Sequence, residues 1–256
     1  MNGGSMKPIK AFAHRGGASE IHENSDVAFA YAADLGYRFF ETDVRLTADG
    51  EVMISHDADL SRVWGDSRKI AECRWKNIAA LRSGTARPIL LRQVLADYPQ
   101  LHLNIDAKEP QVAIPLIRAV RDAGAESRVV LASFHAGTLQ HIRRVAPEIP
   151  TSLSAPEVAR HAARTLILRR PTTHPANVVA LQIPVSYGPL RLDTPDFLAL
   201  AHSSGLEVHY WTIDDPGQMR RLLRLGADGI MTDRPSVLRG VMLEEGCWSE
   251  QPKNDL

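Results

Sequence analysis

Short apolar runs recur along the chain and alternate with longer amphipathic stretches. The short runs are rich in Val, Ile and Leu, which is typical of strands that are covered on both faces. Eight such runs, separated by helical patterns, predict an α/β protein and favour a closed (β/α)8 TIM barrel. The predicted strands are 9–13, 39–44, 101–107, 129–133, 149–153, 178–183, 207–212 and 229–232.

Helical patterns separate most of these strands. Residues 28–35 form one, and residues 110–123 form another, with proline in its first turn and glycine just past its end. Residues 216–225 form a third, which the N-cap candidates Asp214 and Asp215 precede. The third pattern places Met219, Leu222 and Leu223 on one face.

A hairpin is predicted after the second strand, because Asp49-Gly50 is a turn signal between two apolar runs. The hairpin would return the chain to the barrel rim at His56. Residues 58–88 then show weak strand signals and one short helical patch, at 75–81. We therefore expect a short insertion after the second strand, at the barrel mouth.

Domain organisation follows from the same pattern. The chain has 256 residues, of which 44% are hydrophobic, enough for one large core. We expect a single barrel domain over 9–243. The polar residues 1–8 and 244–256 are expected to form a flexible N-terminus and a C-terminal tail.

Charge and cysteine content exclude several partners. Thirty basic and thirty acidic residues give a formal net charge of zero, so no bulk attraction to nucleic acid is expected. No apolar run is long enough for stable membrane insertion, and the first residues lack a signal-peptide pattern. Cys73 and Cys247 lack metal-binding spacing, which is typical of free thiols in a reducing compartment. A cytoplasmic location is therefore expected, and the sequence carries no signature of oligomeric state.

Residues with chemical potential cluster at the carboxyl ends of the predicted strands. Glu41 and Asp43 are two positions apart, which puts both carboxylates on one face of a strand. Barrel enzymes build their sites at this end of the strands. Histidines, an arginine and same-face carboxylates suit metal-assisted phosphoryl chemistry. The candidates are His14, Arg15, Glu23, Glu41, Asp43, His56, Asp106, Lys108 and Trp211.

The order of these motifs resembles the glycerophosphodiester phosphodiesterase family, of the PLC-like phosphodiesterase TIM-barrel superfamily. The resemblance runs over about residues 9–238. It implies metal-dependent hydrolysis of a small-molecule glycerophosphodiester to glycerol 3-phosphate and an alcohol, by direct attack of water or through a cyclic phosphate. The motifs that carry it are His14-Arg15-Gly16, Glu23-Asn24, Glu41-x-Asp43, His56-Asp57, Asp106-x-Lys108, Ser133-Phe134, 208–212 and 226–235.

Three carboxylates are the candidate metal ligands. Glu41, Asp43 and Asp106 would repel one another unless a cation neutralises them, and all-oxygen ligation suits Mg²⁺ or Ca²⁺. The family usually has glutamate in place of Asp106, so the shorter arm would bind through water or draw the metal toward the third strand. The alternative role is structural, in which Asp43 or Asp106 caps a loop or pairs with Lys108.

Two histidines are the candidate acid and base, because imidazole titrates near neutral pH. The resemblance implies His14 as the base and His56 as the acid. Arg15 offers the substrate phosphate a planar fork, and Lys108 offers it a point charge. For Lys108 the alternative is a salt bridge to a neighbouring carboxylate.

Residues beside this set have less specific roles. Glu23 is expected to orient a catalytic side chain or to bind the substrate. Asn24 is expected to cap the helix that follows it. Trp211 lines the pocket beside the alcohol group or packs in the rim. Asp233 is expected only to shape the last turn of the barrel.

Three other functions fit parts of this pattern. A lysophospholipase D would use the same site on a lipid-bearing diester. Residues 58–88 contain few large apolar side chains and no membrane-binding helix, so we expect a preference for water-soluble diesters. A Schiff-base aldolase would use Lys108, which neighbouring carboxylates would keep protonated. A non-catalytic phosphodiester-binding barrel would lack a histidine or carboxylate that this chain retains.

Overall fold

Eight parallel strands close into a barrel in residues 9–248, the part of the chain that the computed structural model describes. Three further short strands lie outside the barrel and form antiparallel pairs. The strands are β1 (Lys10–His14), β2 (Phe39–Leu46), β3 (Val52–Ile54), β4 (His102–Ala107), β5 (Val129–Ala132), β6 (Thr151–Ser152), β7 (Val178–Ile183), β8 (Ser186–Tyr187), β9 (Leu190–Arg191), β10 (Glu207–Tyr210) and β11 (Gly229–Thr232).

The barrel closes because β1 pairs with β2 on one side and with β11 on the other. Round the barrel the order is β1, β2, β4, β5, β6, β7, β10 and β11. The α/β TIM barrel is therefore confirmed, and all eight predicted strands are present. The largest difference is within 149–153, where only Thr151–Ser152 is paired, at a shift in its register with β7.

Helices connect the strands and cover the outside of the barrel. Short 3-10 turns at Ile70–Glu72, Pro110–Val112 and Glu126–Arg128 supplement them. The α-helices are α1 (Asp26–Asp34), α2 (Ser61–Trp64), α3 (Trp75–Ile78), α4 (Leu91–Asp97), α5 (Ala113–Asp122), α6 (Ala136–Val145), α7 (Ala155–Leu168), α8 (Pro195–Ser203), α9 (Pro216–Leu225) and α10 (Pro235–Glu244).

The helix predicted over 216–225 is α9, and local chemistry explains both of its ends. The Asp215 side chain accepts a hydrogen bond from the Gln218 N–H, which caps the first turn. Gly226 then stops the helix at a φ of 87°, a left-handed conformation that glycine adopts without steric cost. The helix predicted over 110–123 is present as a 3-10 turn followed by α5.

The predicted hairpin is confirmed, because β2 and β3 pair antiparallel with Val44 opposite Ile54. The chain then enters residues 58–88. Their side chains build a second, small apolar cluster together with Met53 and Leu90, in which Leu60 and Trp64 are buried. The helical patch expected at 75–81 is the short α3.

The end of the described chain packs against the barrel. Beyond α10, the Trp248 ring contacts Tyr37 with 5.1 Å between ring centroids. Residues 1–8 and 249–256, which cover the expected N-terminus and most of the expected tail, lie outside the described residues. Within 9–248, no helix combines the length and the apolar character that crossing a membrane requires.

Candidate active site

His14 ends β1 at the barrel mouth and lies beside Glu41 of β2 in the strand register. Its Nδ1 lies 2.6 Å from Asp233 Oδ1, and its Nε2 lies 3.5 Å from Glu41 Oε2. Asp233 Oδ1 is therefore placed to accept a hydrogen bond from the Nδ1–H of His14. Burial lowers the pKa of His14, but Glu41 and Asp233 outweigh burial and raise the pKa above its ordinary value.

Asp233 therefore belongs to the site, and the expectation that it only shapes the last turn is wrong. It lies 219 positions from His14 along the chain. Barrel closure brings the two together, because they directly follow Ala13 and Thr232, which are partners in the β1–β11 register. This adjacency is the signal that could have identified Asp233.

Arg15 follows His14 in a left-handed conformation, with a φ of 51°. Such values are uncommon outside glycine and cluster at turns and functional sites. The Arg15 Nε lies 3.2 Å from Asp43 Oδ2, and Nη1 lies 3.3 Å from Glu23 Oε1. Gly16 has no room for a side chain, because a Cβ there would lie 2.6 Å from the Cβ of Ala28. The turn is therefore packed tightly against α1.

Lys108 joins two of the candidate metal ligands. Asp43 of β2 and Asp106 of β4 are register partners, and Lys108 Nζ lies 2.7 Å from one oxygen of each. Burial raises the pKa of Asp43, but Lys108 and Arg15 outweigh burial and hold the pKa below its ordinary value. Burial lowers the pKa of Lys108, but the two carboxylates raise it overall, so Lys108 stays cationic.

Glu41 and Asp106 each keep a buried oxygen without a hydrogen-bond partner, Oε2 and Oδ1 respectively. The two residues are only 6% and 5% exposed. Burial, followed by the charge of Asp43, raises the pKa of Glu41 to about 7. Burial also raises the pKa of Asp106. Glu41 Oε2 has His14 Nε2 as an ion-pair neighbour at 3.5 Å, but a buried carboxylate oxygen without a hydrogen bond is still costly, so both oxygens are suited to a cation.

The donor set fits a hard divalent cation, since Glu41, Asp43 and Asp106 supply only oxygen. Yet no three His, Cys, Asp or Glu side chains of residues 9–248 already stand in a metal-binding arrangement. Lys108 stands between two of the three ligand candidates, because its ammonium contacts both Asp43 and Asp106. Ligation of Mg²⁺ or Ca²⁺ would therefore compete with this ion pair.

Asn24 forms a hydrogen bond with the Asp43 carboxylate, and the expectation that it caps α1 is wrong. Ser25 is the cap, because its side chain accepts from the Ala28 N–H. Asn24 has a φ of 51°, which asparagine tolerates better than most residues. Its amide donates to Asp43 Oδ2 at 2.9 Å and accepts from Thr42 Oγ1 at 2.8 Å.

His56 follows β3 and reaches the same mouth. Its Nδ1 lies 2.8 Å from Asp57 Oδ1, and its backbone carbonyl accepts from Arg45 Nε at 2.9 Å. The side chain is 35% exposed, so it is open to a substrate. The preceding residue, Ser55, donates its backbone N–H to the Asp43 carbonyl at 2.9 Å, which places His56 near the carboxylates.

Glu23 binds two arginines and makes no hydrogen bond to His14 among the described contacts. It accepts from Arg15 at 3.3 Å and from both terminal nitrogens of Arg62 at 2.7 and 2.8 Å. Burial raises its pKa, but the two arginines outweigh burial and lower it. Arg62 is absent from the sequence candidates because residues 58–88 lack a periodic pattern that would single out one side chain.

Trp211 forms an aromatic wall with Phe134. The two rings meet edge to face, with 6.2 Å between their centroids. Phe134 follows β5 and is 59% exposed, and its ring centroid lies 5.6 Å from Lys108 Nζ. The wall therefore stands beside the phosphate-binding candidates, where it can contact the alcohol part of a substrate.

Fold and mouth together define a class of protein. Cationic groups that can bind a phosphate stand beside histidines that can move protons, at the end of the barrel where such enzymes place their chemistry. A family model described as the glycerophosphoryl diester phosphodiesterase family matches residues 14–237. The chain belongs to this family and is an enzyme of the phosphoric diester hydrolase class.

Similar proteins align over most of the chain. A probable glycerophosphodiester phosphodiesterase 2 of Mycobacterium tuberculosis is 33% identical, over 93% of this chain and 92% of its own. A lysophospholipase D of Rattus norvegicus is 25% identical, over 88% of this chain and 83% of its own. An Oleispira antarctica phosphodiesterase, in complex with the product sn-glycerol-3-phosphate, shares the fold with a TM-score of 0.76 at 20% identity, over 92% and 97% of the two chains.

Proposed function

We propose that this enzyme hydrolyses glycerophosphodiesters to glycerol 3-phosphate and an alcohol, with a divalent cation and two histidines. The observation that carries the proposal is the pair of buried oxygens without a hydrogen bond on Glu41 and Asp106, next to His14 and Lys108. A cation on these oxygens would compete for Asp43 and Asp106, which would leave Lys108 and Arg15 able to bind an anion. A metal-bound phosphodiester would supply both the cation and the anion.

His14 and His56 have the geometry of proton carriers. Each ring is tied at Nδ1 by a carboxylate, Asp233 for His14 and Asp57 for His56. Because Nδ1 holds a proton in both, Nε2 is the nitrogen left to accept or release one. We assign His14 as the base and His56 as the acid. A cation bound by Glu41 would cancel the charge that most raises the pKa of His14, which favours the base role.

Arg15 and Lys108 would bind the phosphate. Arg15 stands at the rim with a fork that matches phosphate oxygens. Lys108 stays cationic between Asp43 and Asp106, so it serves as a charge and is a poor Schiff-base nucleophile. A bound Mg²⁺ or Ca²⁺ would polarise the phosphoryl group, with Glu41, Asp43 and Asp106 as its ligands.

A hydrolysis screen over glycerophosphodiesters tests this proposal. Excess chelator should abolish turnover, and added Mg²⁺ or Ca²⁺ should restore it. Full activity after verified metal removal would reject the role of the cation. Absence of activity on every diester, with metal present, would reject the substrate class.

The Asp106→Glu variant tests the ligand assignment separately. Calorimetric titration of the chelator-treated protein measures cation affinity without relying on turnover. If Asp106 is a ligand with a shortened arm, the longer arm should retain or raise the affinity. Complete loss of binding would show that the site is built around aspartate at this position.

Water-soluble diesters are the proposed substrates, with lysophospholipids as the second candidate. The exposed Phe134 beside Trp211 favours the second, because an acyl chain needs apolar contacts near the mouth. The ratio of kcat/KM for glycerophosphocholine and its matching lysolipid, below micelle formation, separates them. A preference of about tenfold or more for the lysolipid, about 1.4 kcal/mol in transition-state binding, would select the lysophospholipase D.

The proposed partner is a small molecule and the proposed compartment is the cytoplasm. Cys73 is free and buried, and Cys247 is free, as expected in a reducing environment. Fractionation of the native cells, with the full chain detected by antibody, tests the location. Recovery with the membrane pellet would reject it.

A further inference from the structure

Arg62 connects His56 to the opposite side of the mouth through a continuous series of hydrogen bonds. Asp57 uses one oxygen for His56 Nδ1, at 2.8 Å, and the other for Arg62 Nε, at 2.6 Å. The two terminal nitrogens of Arg62 bind both oxygens of Glu23. One guanidinium therefore ties the loop after β3 to the loop after β1.

The backbone that carries Arg62 is anchored. Arg62 lies in α2, between Leu60 and Trp64, which are 0% and 8% exposed and pack in the apolar cluster of residues 58–88. The Arg62 side chain itself is 51% exposed. Because packing holds the backbone of Arg62, its guanidinium group reaches the mouth from a defined point.

We propose that Arg62 is a positioning residue that fixes the His56 ring by holding Asp57. The inference rests on the proposed function, in which His56 supplies the proton to the leaving alcohol. With Asp57 held, the Nδ1–H of His56 has a fixed acceptor and Nε2 faces the mouth. Without Arg62, the Asp57 carboxylate can rotate, and the ring loses its fixed orientation.

The chemistry of the three groups supports this role. Arg62 and His56 hold the pKa of Asp57 at about 2 despite partial burial, so Asp57 is ionised and can only accept hydrogen bonds. All three guanidinium nitrogens of Arg62 donate hydrogen bonds, one to Asp57 and two to Glu23. Lysine has a single charged nitrogen and cannot reproduce this fork. The Arg62→Lys variant should therefore retain only part of the parent kcat.

Steady-state kinetics of Arg62→Gln is the first test, with Arg68→Gln as the matched control. Arg68 lies in the same segment and binds Asp66 with a similar fork, away from the mouth contacts described above. We expect Arg62→Gln to lower kcat by about tenfold to a hundredfold, as when a group that orients a catalytic side chain is lost. KM should change less than about threefold, and Arg68→Gln should match the parent.

The double variant distinguishes positioning from a general structural role. If Arg62 acts through Asp57, then Arg62→Gln combined with Asp57→Asn should lose no more kcat than Asp57→Asn alone. Additive losses would overturn the inference. So would a matching loss in Arg68→Gln, which would show that any change in this segment disturbs the mouth.

Nitrogen-15 NMR of the histidine rings gives a readout that needs no turnover. At alkaline pH, neutral His56 should carry its proton on Nδ1 in the parent and in Arg68→Gln, and should become a tautomer mixture in Arg62→Gln. The His56→Gln variant identifies the resonance by its absence. An unchanged His56 spectrum in Arg62→Gln would overturn the inference, whereas a parent that hydrolyses no diester would overturn only the proposed function.

Discussion

The mouth of the barrel, at the carboxyl ends of its strands, and the base, at their amino ends, contain the same kinds of side chain in different electrostatic environments. At the base, His209 is only 2% exposed and shares Glu207 with Lys10, at 3.0 and 2.6 Å. Burial lowers the pKa of His209, and Glu207 only partly opposes this. At the mouth, two carboxylates raise the pKa of His14. The number of carboxylates around a buried histidine therefore decides whether its neutral or its cationic form is favoured.

Unpartnered atoms show the same contrast. The base leaves a neutral ring nitrogen, Nδ1 of His209, without a partner. The mouth leaves oxygens of Glu41 and Asp106 in that state. A neutral nitrogen costs about 1–3 kcal/mol when unsatisfied, and a carboxylate costs more. The base is therefore compatible with a purely structural role, whereas the mouth keeps a cost that a ligand can relieve.

Histidine replacement should separate the two ends most strongly. We expect His14→Ala and His56→Ala each to lower turnover by about a hundredfold or more, the usual scale for a positioned proton carrier. The parent pH–rate profile should be bell-shaped, and each variant should lose one limb. His102→Gln at the base is the control and should keep parent activity. Near-parent activity of a mouth variant across pH would show that its histidine is structural.

Replacing Lys108 tests whether the carboxylates at the mouth need a cation to balance their charge. In chelator at pH 8, Lys108→Met should lower the free energy of unfolding by about 3 kcal/mol, because Asp43 and Asp106 lose their shared partner. Added divalent cation should restore much of this stability. Urea unfolding measures both, with Lys69→Met at an exposed ion pair as the control. Equal stability of parent and Lys108→Met in chelator would contradict the idea.

The strands and the residues at their ends were predictable from the sequence, because the pattern of apolar positions that marks a strand is local. The eight strands and the residues at their carboxyl ends required only apolar runs and the rule that barrels place chemistry there. Asp233, Asn24 and Arg62 required contacts that local patterns do not encode. The β8–β9 hairpin was also missed, because two-residue strands leave no period to detect.

Glu41 should give the mouth a pH dependence opposite in sign to that of the base. Its pKa of about 7 in the fold exceeds the ordinary 4.5, so the folded state binds more protons and stability falls as pH rises through this window. The pKa of Glu207 is about 2, so its contribution is lost as pH falls below 4.5.

Glu41→Gln should flatten the loss of stability that metal-free protein shows as pH rises from 4.5 to about 7. One proton limits the Glu41 contribution to this slope to about 1.4 kcal/mol per pH unit. Removing Glu41 also removes the carboxylate that most raises the pKa of His14, so the His14 contribution falls with it. Denaturant unfolding in chelator from pH 5 to 8 measures the slope. Glu148→Gln is the control and should leave this window unchanged, because Glu148 pairs with Arg121 at an exposed site and its pKa is lowered below 4.5, outside this window. A parent slope retained in Glu41→Gln would exclude Glu41 as the source.

The Lys10–Glu207 pair at the base should show the smallest effect. Its side chains are 35% and 33% exposed, so water screens the attraction, and Lys10→Met should cost about 1 kcal/mol or less. Methionine can still pack on the Phe39 ring, whose centroid lies 5.8 Å from Lys10 Nζ. Because the base face of such barrels serves stability, kcat should change less than about twofold. A loss of about tenfold in kcat, with stability unchanged, would instead mean that charge at the base is coupled to the chemistry at the mouth, and the contrast between the two ends would have to be abandoned.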